Sequence, residues 1–278
     1  IVKIVDDIQQ VVEKSGYSFE IIVIDDGSED ETAAQAREAG ATVIQHPYNI
    51  GNGAAIKTGI RNARGETLVM LDSDGQHPPA DIPRLIQKIG PYDMAVGART
   101  QNSDTDLHRD IANKIYNGLA SYVSGRKIED LTSGFRAIKT KVARGFVYLL
   151  PNQFSYPTTI TLATIRSGHS LTYVPIQGLR RKGKSKIRLL RDGIQFLLII
   201  LRIATFYAPL KVFIPVSLAM FLTGFGYGLF KVFALHVPYG PTSAMLMTIS
   251  IVVFMVGLVS EQVAQLRFDR SEYINDPP

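Results

Sequence analysis

The 278-residue chain contains no cysteine. That excludes a disulfide framework, a thiolate metal site and a cysteine nucleophile together. Tryptophan is absent too. No secretory signal is expected, because Ile1 to Ile8 carry charges throughout and lead to no small-residue cleavage site. They read instead as an amphipathic helix with Ile1, Ile4, Ile8, Val11 and Val12 on one face. Charge is present but uneven. The net excess is +5, and positive residues crowd between Arg180 and Lys211. No nucleic-acid partner is expected. Apolar residues are uneven as well, concentrated in the last third, and the length suits one large domain or two smaller ones.

What is present centres on Leu68-Val69-Met70-Leu71-Asp72-Ser73-Asp74-Gly75-Gln76-His77-Pro78-Pro79. Four apolar residues run into two carboxylates one residue apart, and Gly and Pro-Pro then stop the strand. Ligands of open α/β sheets collect outside the carboxyl ends of strands. Mg²⁺ and Mn²⁺ favour oxygen donors, and Mg²⁺ is often held by one or two carboxylates plus substrate phosphates. An Asx-rich turn without a metal uses the same residue types. A second apolar run, Phe19 to Ile24, ends in Asp25-Asp26-Gly27-Ser28. Two acid-tipped strands side by side repel unless a cation or donors sit between them.

The remaining pattern alternates strands and helices. Helices are expected at 32–39, 54–63, 82–89, 109–124 and 156–166, and strands at 42–45, 66–71, 94–97, 135–139 and 171–176. This predicts βαβ units and a mainly parallel sheet. Gly51-x-Gly53 either approaches a phosphate or serves a helix start that needs glycine for backbone reasons; it lacks the rest of a dinucleotide or P-loop fingerprint. Asp130-Leu131-Thr132-Ser133-Gly134-Phe135-Arg136 reads as a solvated turn, or as a carboxylate and backbone donors at a cleft floor. Arg180-Arg181-Lys182-Gly183-Lys184-Ser185-Lys186 reads as a juxtamembrane basic cluster or as a lid over a pyrophosphate, and the two are compatible.

The apolar third begins with 187–210, whose uncharged core is too short to span and is flanked by Arg188, Arg191 and Arg202. It reads as an interfacial helix. The uncharged runs 212–230 and 242–260 approach the roughly 20 residues a span needs. A Val237-Pro238-Tyr239-Gly240-Pro241 turn joins them into a hairpin. Two buried helices of a soluble protein are the rival. Cations precede the first span and return at Arg267 and Arg270, while the turn has none and Lys231 can snorkel. Both flanks are therefore expected in the cytoplasm.

The acid clusters, Gly97-Ala98-Arg99, the Thr132-to-Arg136 string and the basic loop occur in an order that resembles family 2 glycosyltransferases. The nearest likeness is to the polyprenyl-phosphate subgroup, which includes dolichol-phosphate mannose synthases and bacterial undecaprenyl-phosphate glucosyltransferases. The likeness covers about residues 1 to 190, and the two-helix tail suits the bacterial members. It implies a Rossmann-like GT-A domain with a mostly parallel sheet at 1–186, a juxtamembrane amphipathic helix at 187–210, membrane helices at 211–235 and 242–266, and a cytoplasmic tail at 267–278. The implied reaction is an inverting transfer of a hexose from a UDP- or GDP-linked donor to undecaprenyl or dolichyl phosphate. It would take place at the cytoplasmic face of a bacterial or archaeal membrane. By that likeness Asp72, Asp74 and Gln76 match ligands of Mg²⁺ or Mn²⁺. Asp25, Asp26, Asp72, Ser73, Arg180, Arg181 and Lys186 match the donor site; Arg99, Arg109 and Arg136 match acceptor-phosphate positions. Asp130 is then a positioning residue or a vestigial base.

The family opens on a strand ending in Pro-x-Tyr-Asn-Glu, and this chain starts after it. A missing leading segment is expected, because a sheet without that strand exposes its neighbours' hydrogen-bonding groups. Two alternatives stand beside this reading. One is a transferase acting on a hydroxyl to make polysaccharide or glycolipid, although such relatives carry Gln-x-x-Arg-Trp and this chain has no Trp. The other is a non-catalytic membrane protein that binds nucleotide sugars or lipid phosphates. The interfacial helix and the hairpin offer apolar faces for a homo-oligomer.

Overall fold

The computed structural model describes residues 1–100, 107–153, 156–177 and 204–275, with the backbone alone at 107–113 and 267–275. The chain divides into two compact units, Ile1–Ile187 with Ser271–Pro278, and Arg188–Arg270.

In the first unit, helix α1 (Val2–Lys14) buries Val5 and Val12 from its apolar face. Strand β1 (Ile22–Asp25), helix α2 (Thr32–Glu38) and strand β2 (Thr42–Gln45) follow, and β1 pairs with β2 in parallel. Helix α3 (Asn52–Asn62) leads to strand β3 (Thr67–Met70), and a single 3₁₀ turn leads to helix α4 (Ile82–Ile86). Strand β4 (Met94–Arg99), helix α5 (Leu107–Ser124), strand β5 (Arg136–Lys139), helix α6 (Thr140–Phe146), helix α7 (Tyr156–Arg166) and strand β6 (Leu171–Ile176) complete the unit. Helix α6 was not expected: Thr-Lys-Val-Ala-Arg-Gly-Phe is too short to show a helical period.

The second sheet has the order β3-β5-β4-β6. Strand β6 runs parallel to β4, whereas β5 runs antiparallel to both β3 and β4. The mainly parallel order expected from the sequence thus includes one reversed strand. The segment 125–135 carries the chain back to the end where β4 finishes, so β5 starts beside the carboxyl ends of β3 and β4. Arg136 pairs with Met70 on one side and Val96 on the other. This reversal delivers the Thr132-to-Arg136 string to the strand end that bears Asp72. The core joins Val12, Ile82 and Leu85 to Ala95, Phe135, Ala137, Val174 and Ile176. The described strands leave β1 and β3 unpaired with each other, and both line one cleft of about 1260 Å³.

The opposite end of the sheet is tied by Asp93. Its carboxylate accepts from Lys139 Nζ at 2.8 Å and from Ser170 N–H and Oγ at 2.9 Å each. Burial alone would raise its pKa, but the hydrogen bonds from Lys139 and Ser170 outweigh that and hold it well below the usual carboxylate range. A depressed folded pKa adds stability that is complete above about pH 5 and is lost as pH falls below the unfolded value near 4. Asp93→Asn is therefore expected to cost about 2 kcal/mol at pH 7 and to flatten the acid limb of the stability curve. Melting curves of both proteins between roughly pH 7 and pH 2.5 check this; parallel curves would contradict it.

The second unit contains helix α8 (Pro209–Ala234) and the part of helix α9 (Pro241–Asn275) up to Arg270. Pro209–Ala234 and Pro241–Leu266 are long and apolar enough to cross a membrane. Helix α9 runs through the expected tail as far as Asn275, since no glycine or proline stops it before Pro277. The helices pack antiparallel through small residues. Gly224 lies against Leu246 and Ser243, Gly228 against Tyr239, and Gly257 against Phe213. Along α9, Ser243, Ser250, Gly257 and Ala264 are buried, while Met245, Ile251, Val252, Met255 and Val259 face outward. Such outward faces suit lipid, where association relies on close packing rather than on burial from water. The interfacial-helix residues 187–203 lie outside the described residues.

Candidate active site

Strand β3 ends at Met70, and Asp72 follows two residues later, half-buried at the mouth of the cleft. Asp72 Oδ1 is 3.4 Å from Asn52 Nδ2. Its Oδ2 lies over Gly134: a Cβ there would sit 2.5 Å from Oδ2 and 3.0 Å from the Tyr156 hydroxyl. Only glycine allows the carboxylate that close to the β5 turn. Asp74 is exposed and closes an Asx turn by accepting the Gln76 N–H at 3.0 Å. Gln76 is half-buried. Among the described residues neither Asp72 nor Asp74 forms an ion pair, and no third Asp, Glu or His joins them into a metal cluster. Two unpaired carboxylates and a nearby amide suit a hard divalent cation that completes its shell with substrate oxygens and water. Beside them His77 is buried and its ring lies 5.4 Å from that of Phe135. Burial pushes its pKa down against the pull of Asp72 and Asp74, which keeps the ring neutral at pH 7.

The cleft brings Asp25, Asp26, Asn49, Asn52, Asp72 and Ser73 to one wall system. Asp25 accepts the Ser28 N–H at 2.9 Å through Oδ1, while its buried Oδ2 has no partner. Asp26 is engaged locally. It accepts from Ile50 N–H at 3.0 Å and Gly51 N–H at 2.7 Å, and it meets His46 Nδ1 at 2.7 Å. Its burial raises the pKa, yet His46 and the two amides carry it below the ordinary value. His46 passes the contact on to Thr58 Oγ1 at 2.9 Å. Asp26 therefore fixes the 49–51 turn as it borders the cleft.

Gly51-x-Gly53 is resolved by its neighbours. Gly53 N–H and Ala54 N–H donate to Gln153 O and Asn152 O, at 3.2 and 2.8 Å. A Cβ on Gly53 would overlap Pro151 O. The start of α3 is closed by backbone carbonyls, so the glycines serve a close backbone approach rather than a phosphate.

Arg99, at the end of β4, forms a two-pronged pair with Asp130: Nε to Oδ2 at 2.7 Å and Nη2 to Oδ1 at 2.8 Å. Nη2 also reaches Thr132 Oγ1 at 2.6 Å. The Asp130 carboxylate further accepts from the Thr132 and Ser133 N–H groups. Asp130 is 5% exposed. Burial favours its neutral form, but the hydrogen bonds and charge of Arg99 win and lower its pKa. A saturated, stabilised carboxylate is a poor proton acceptor, which fits positioning and not a base.

The acceptor-phosphate expectation for Arg136 is corrected. Its side chain is fully buried, with Nη1 on Pro157 O at 2.9 Å and on Thr161 Oγ1 at 3.1 Å, and Nη2 on Ser133 O. No surface phosphate reaches it. A basic residue after Gly-Phe looks ligand-facing in sequence, but the pleat of β5 turns it inward. Arg109 falls in the first turn of α5, where the backbone alone is described. Arg180, Arg181 and Lys186 lie outside the described residues. Asn52, His46 and Tyr156 were missed. Asn52 beside two glycines at a helix start carried a weak signal, whereas nothing local marked Tyr156.

Comparison with known proteins gives a consistent outcome. Residues 4–146 match the family described as Glycosyl transferase family 2, and residues 208–266 match the GtrB C-terminal hairpin. An undecaprenyl-phosphate 4-deoxy-4-formamido-L-arabinose transferase of Klebsiella pneumoniae is 28% identical over 234 residues, covering 81% of this chain and 69% of that protein. A dolichol-phosphate mannosyltransferase of Pyrococcus furiosus is 32% identical over 185 residues, covering 62% of this chain and 52% of that protein. A crystal structure of glucosyl-3-phosphoglycerate synthase from Mycobacterium tuberculosis with Mn²⁺ and UDP-glucose superposes with a TM-score of 0.56 at 18% identity, covering 72% and 71% of the two chains.

Proposed function

The chain belongs to glycosyl transferase family 2, and on that premise we propose that it moves a hexose from a UDP- or GDP-linked donor to a polyprenyl phosphate, with inversion. The observation that carries the choice of acceptor is the state of Asp130. Transfer to a hydroxyl needs a general base, and the buried carboxylate nearest Arg99 is consumed by that arginine and by two backbone amides. A phosphate monoester has a second pKa near 6 and attacks without a base. The work that remains is positioning and charge stabilisation. The names of the Klebsiella and Pyrococcus relatives agree with this acceptor class.

In this reading Asp72, Asp74 and the Gln76 amide hold Mg²⁺ or Mn²⁺, which when bound neutralises the departing diphosphate. Asp25, Asp26 and Ser73 face the nucleoside half of the donor across the cleft. Asp130 fixes the orientation of Arg99, and Arg99 with Arg109 steadies the acceptor phosphate. Arg180, Arg181 and Lys186 are assigned to the donor site by the family likeness. The hairpin embeds the chain in a membrane, and the cations on its flanks favour a cytoplasmic transferase unit.

The test is a panel of radiolabelled UDP- and GDP-sugars with undecaprenyl phosphate in detergent, with Mn²⁺ or with EDTA. Label is expected in the lipid phosphate fraction for one donor, falling at least a hundredfold with EDTA. Undiminished transfer in EDTA would remove the metal from the reaction. Label appearing only on hydroxyl acceptors would overturn the acceptor assignment.

A further inference from the structure

Arg136 is the bulkiest fully buried side chain among the described residues. A buried guanidinium normally meets a carboxylate, because an unpaired interior charge is costly. Among the described residues Arg136 has no ion-pair partner, and its Nε has no hydrogen-bond partner. Core packing alone would be better served by an apolar residue of similar volume. The contacts it does make are directed at one place. Nη2 donates to Ser133 O, Nη1 donates to Pro157 O and Thr161 Oγ1, and the guanidinium stands 5.8 Å over the Tyr156 ring. The Tyr156 hydroxyl in turn donates to Gly134 O at 3.3 Å. The next peptide group back is held as well, by Ser133 N–H on Asp130 Oδ1 at 3.1 Å. Two consecutive carbonyls are thus gripped from below, and the residue between those grips is the glycine on which Asp72 Oδ2 rests.

We propose that Arg136 and Tyr156 are positioning residues for Asp72: they hold Ser133–Gly134 where that backbone buttresses the carboxylate, and so fix its oxygens for the cation. The inference rests on Asp72 being a metal ligand. Groups that orient a ligand without touching the metal typically change its affinity by 10- to 100-fold when removed.

The sign of the effect separates this role from two simpler ones. Removing a buried positive charge near Asp72 would, by charge alone, tighten binding of a cation. A purely structural arginine would lower thermal stability and leave the affinity of the folded protein unchanged. Loss of positioning weakens binding.

The measurement is Mn²⁺ titration of the full chain in detergent, with free Mn²⁺ read by electron paramagnetic resonance and folding by circular dichroism and thermal melting. Tyr156→Phe keeps charge and packing, and is expected to raise the Mn²⁺ Kd about threefold to tenfold. Arg136→Lys keeps the charge but cannot span three acceptors, and is expected to raise it about tenfold. Arg136→Met is expected to weaken binding too, in spite of the lost charge. Wild-type Kd values for Tyr156→Phe and Arg136→Lys would overturn the proposal, as would tighter binding by a folded Arg136→Met. Asp72→Asn is the reference. If it bound Mn²⁺ as well as the wild type, the metal assignment itself would fall, which is a separate outcome from unaltered binding by the Tyr156 and Arg136 variants.

Discussion

Asp74→Ala is expected to slow sugar transfer about a thousandfold and to leave the fold intact. The side chain is exposed, and its one hydrogen bond closes its own turn onto the Gln76 N–H. Little of the folding free energy depends on it, since exposed substitutions usually stay within about 0.5 kcal/mol. Its chemical share is much larger. A divalent cation supplies several kcal/mol of charge stabilisation to a departing diphosphate, and about 4 kcal/mol corresponds to roughly a thousandfold in rate. If Asp72 and Asp74 are the two carboxylate ligands of the proposed cation site, losing one halves its anionic ligands. Initial rates at saturating donor, with matched circular dichroism spectra, decide the matter. A folded variant within tenfold of the wild-type rate would exclude Asp74 from the cation site.

The second large effect falls on stability. Asp130→Ala is expected to cost about 3–5 kcal/mol, because it leaves a partly buried guanidinium and three backbone amides without their shared acceptor. For a unit of this size, each kcal/mol moves the melting temperature by about 2–4 °C, so a fall of roughly 6–20 °C is expected. Asp130→Asn keeps one acceptor oxygen and the shape of the side chain, and falls in between. A melting temperature unchanged in the alanine variant would show that the Arg99–Asp130 pair is neutral on balance, as some buried pairs are.

The two sites of these predictions were unequally legible in the sequence. Asp72 and Asp74 could be read directly, because an apolar strand, an Asp-x-Asp and a Pro-Pro stop lie within a dozen residues and each acts locally. Asp25 and Asp26 were visible for the same reason. Asp130 was read by likeness as a positioning residue or a vestigial base, but its partner was not legible: Arg99 lies 31 positions away, and the contact exists only because β5 reverses direction between β3 and β4. The same reversal turned Arg136 from an expected phosphate ligand into a buried strut. Alternation around Phe135 announced a strand, but not which neighbours it would have or which face would be covered. Gly51-x-Gly53 was read in two ways, and the structure favours the backbone one. The two glycines were a true signal of close approach, and the approaching group was the 151–153 backbone, about a hundred positions on.

The hairpin seam has a geometric consequence. Ser243, Ser250, Gly257 and Ala264 recur at a strict interval of seven along α9. Two turns of a straight α-helix take slightly more than seven residues. A seven-residue stripe drifts around a straight helix by about 20° per repeat, or about 60° between Ser243 and Ala264. Keeping Ser243, Ser250 and Gly257 against α8 requires the two helices to coil around each other with a left-handed twist. An acyl chain lying along the hairpin then crosses from one helix to the other instead of following a single groove. Lipids packed around the hairpin meet a spiralled surface.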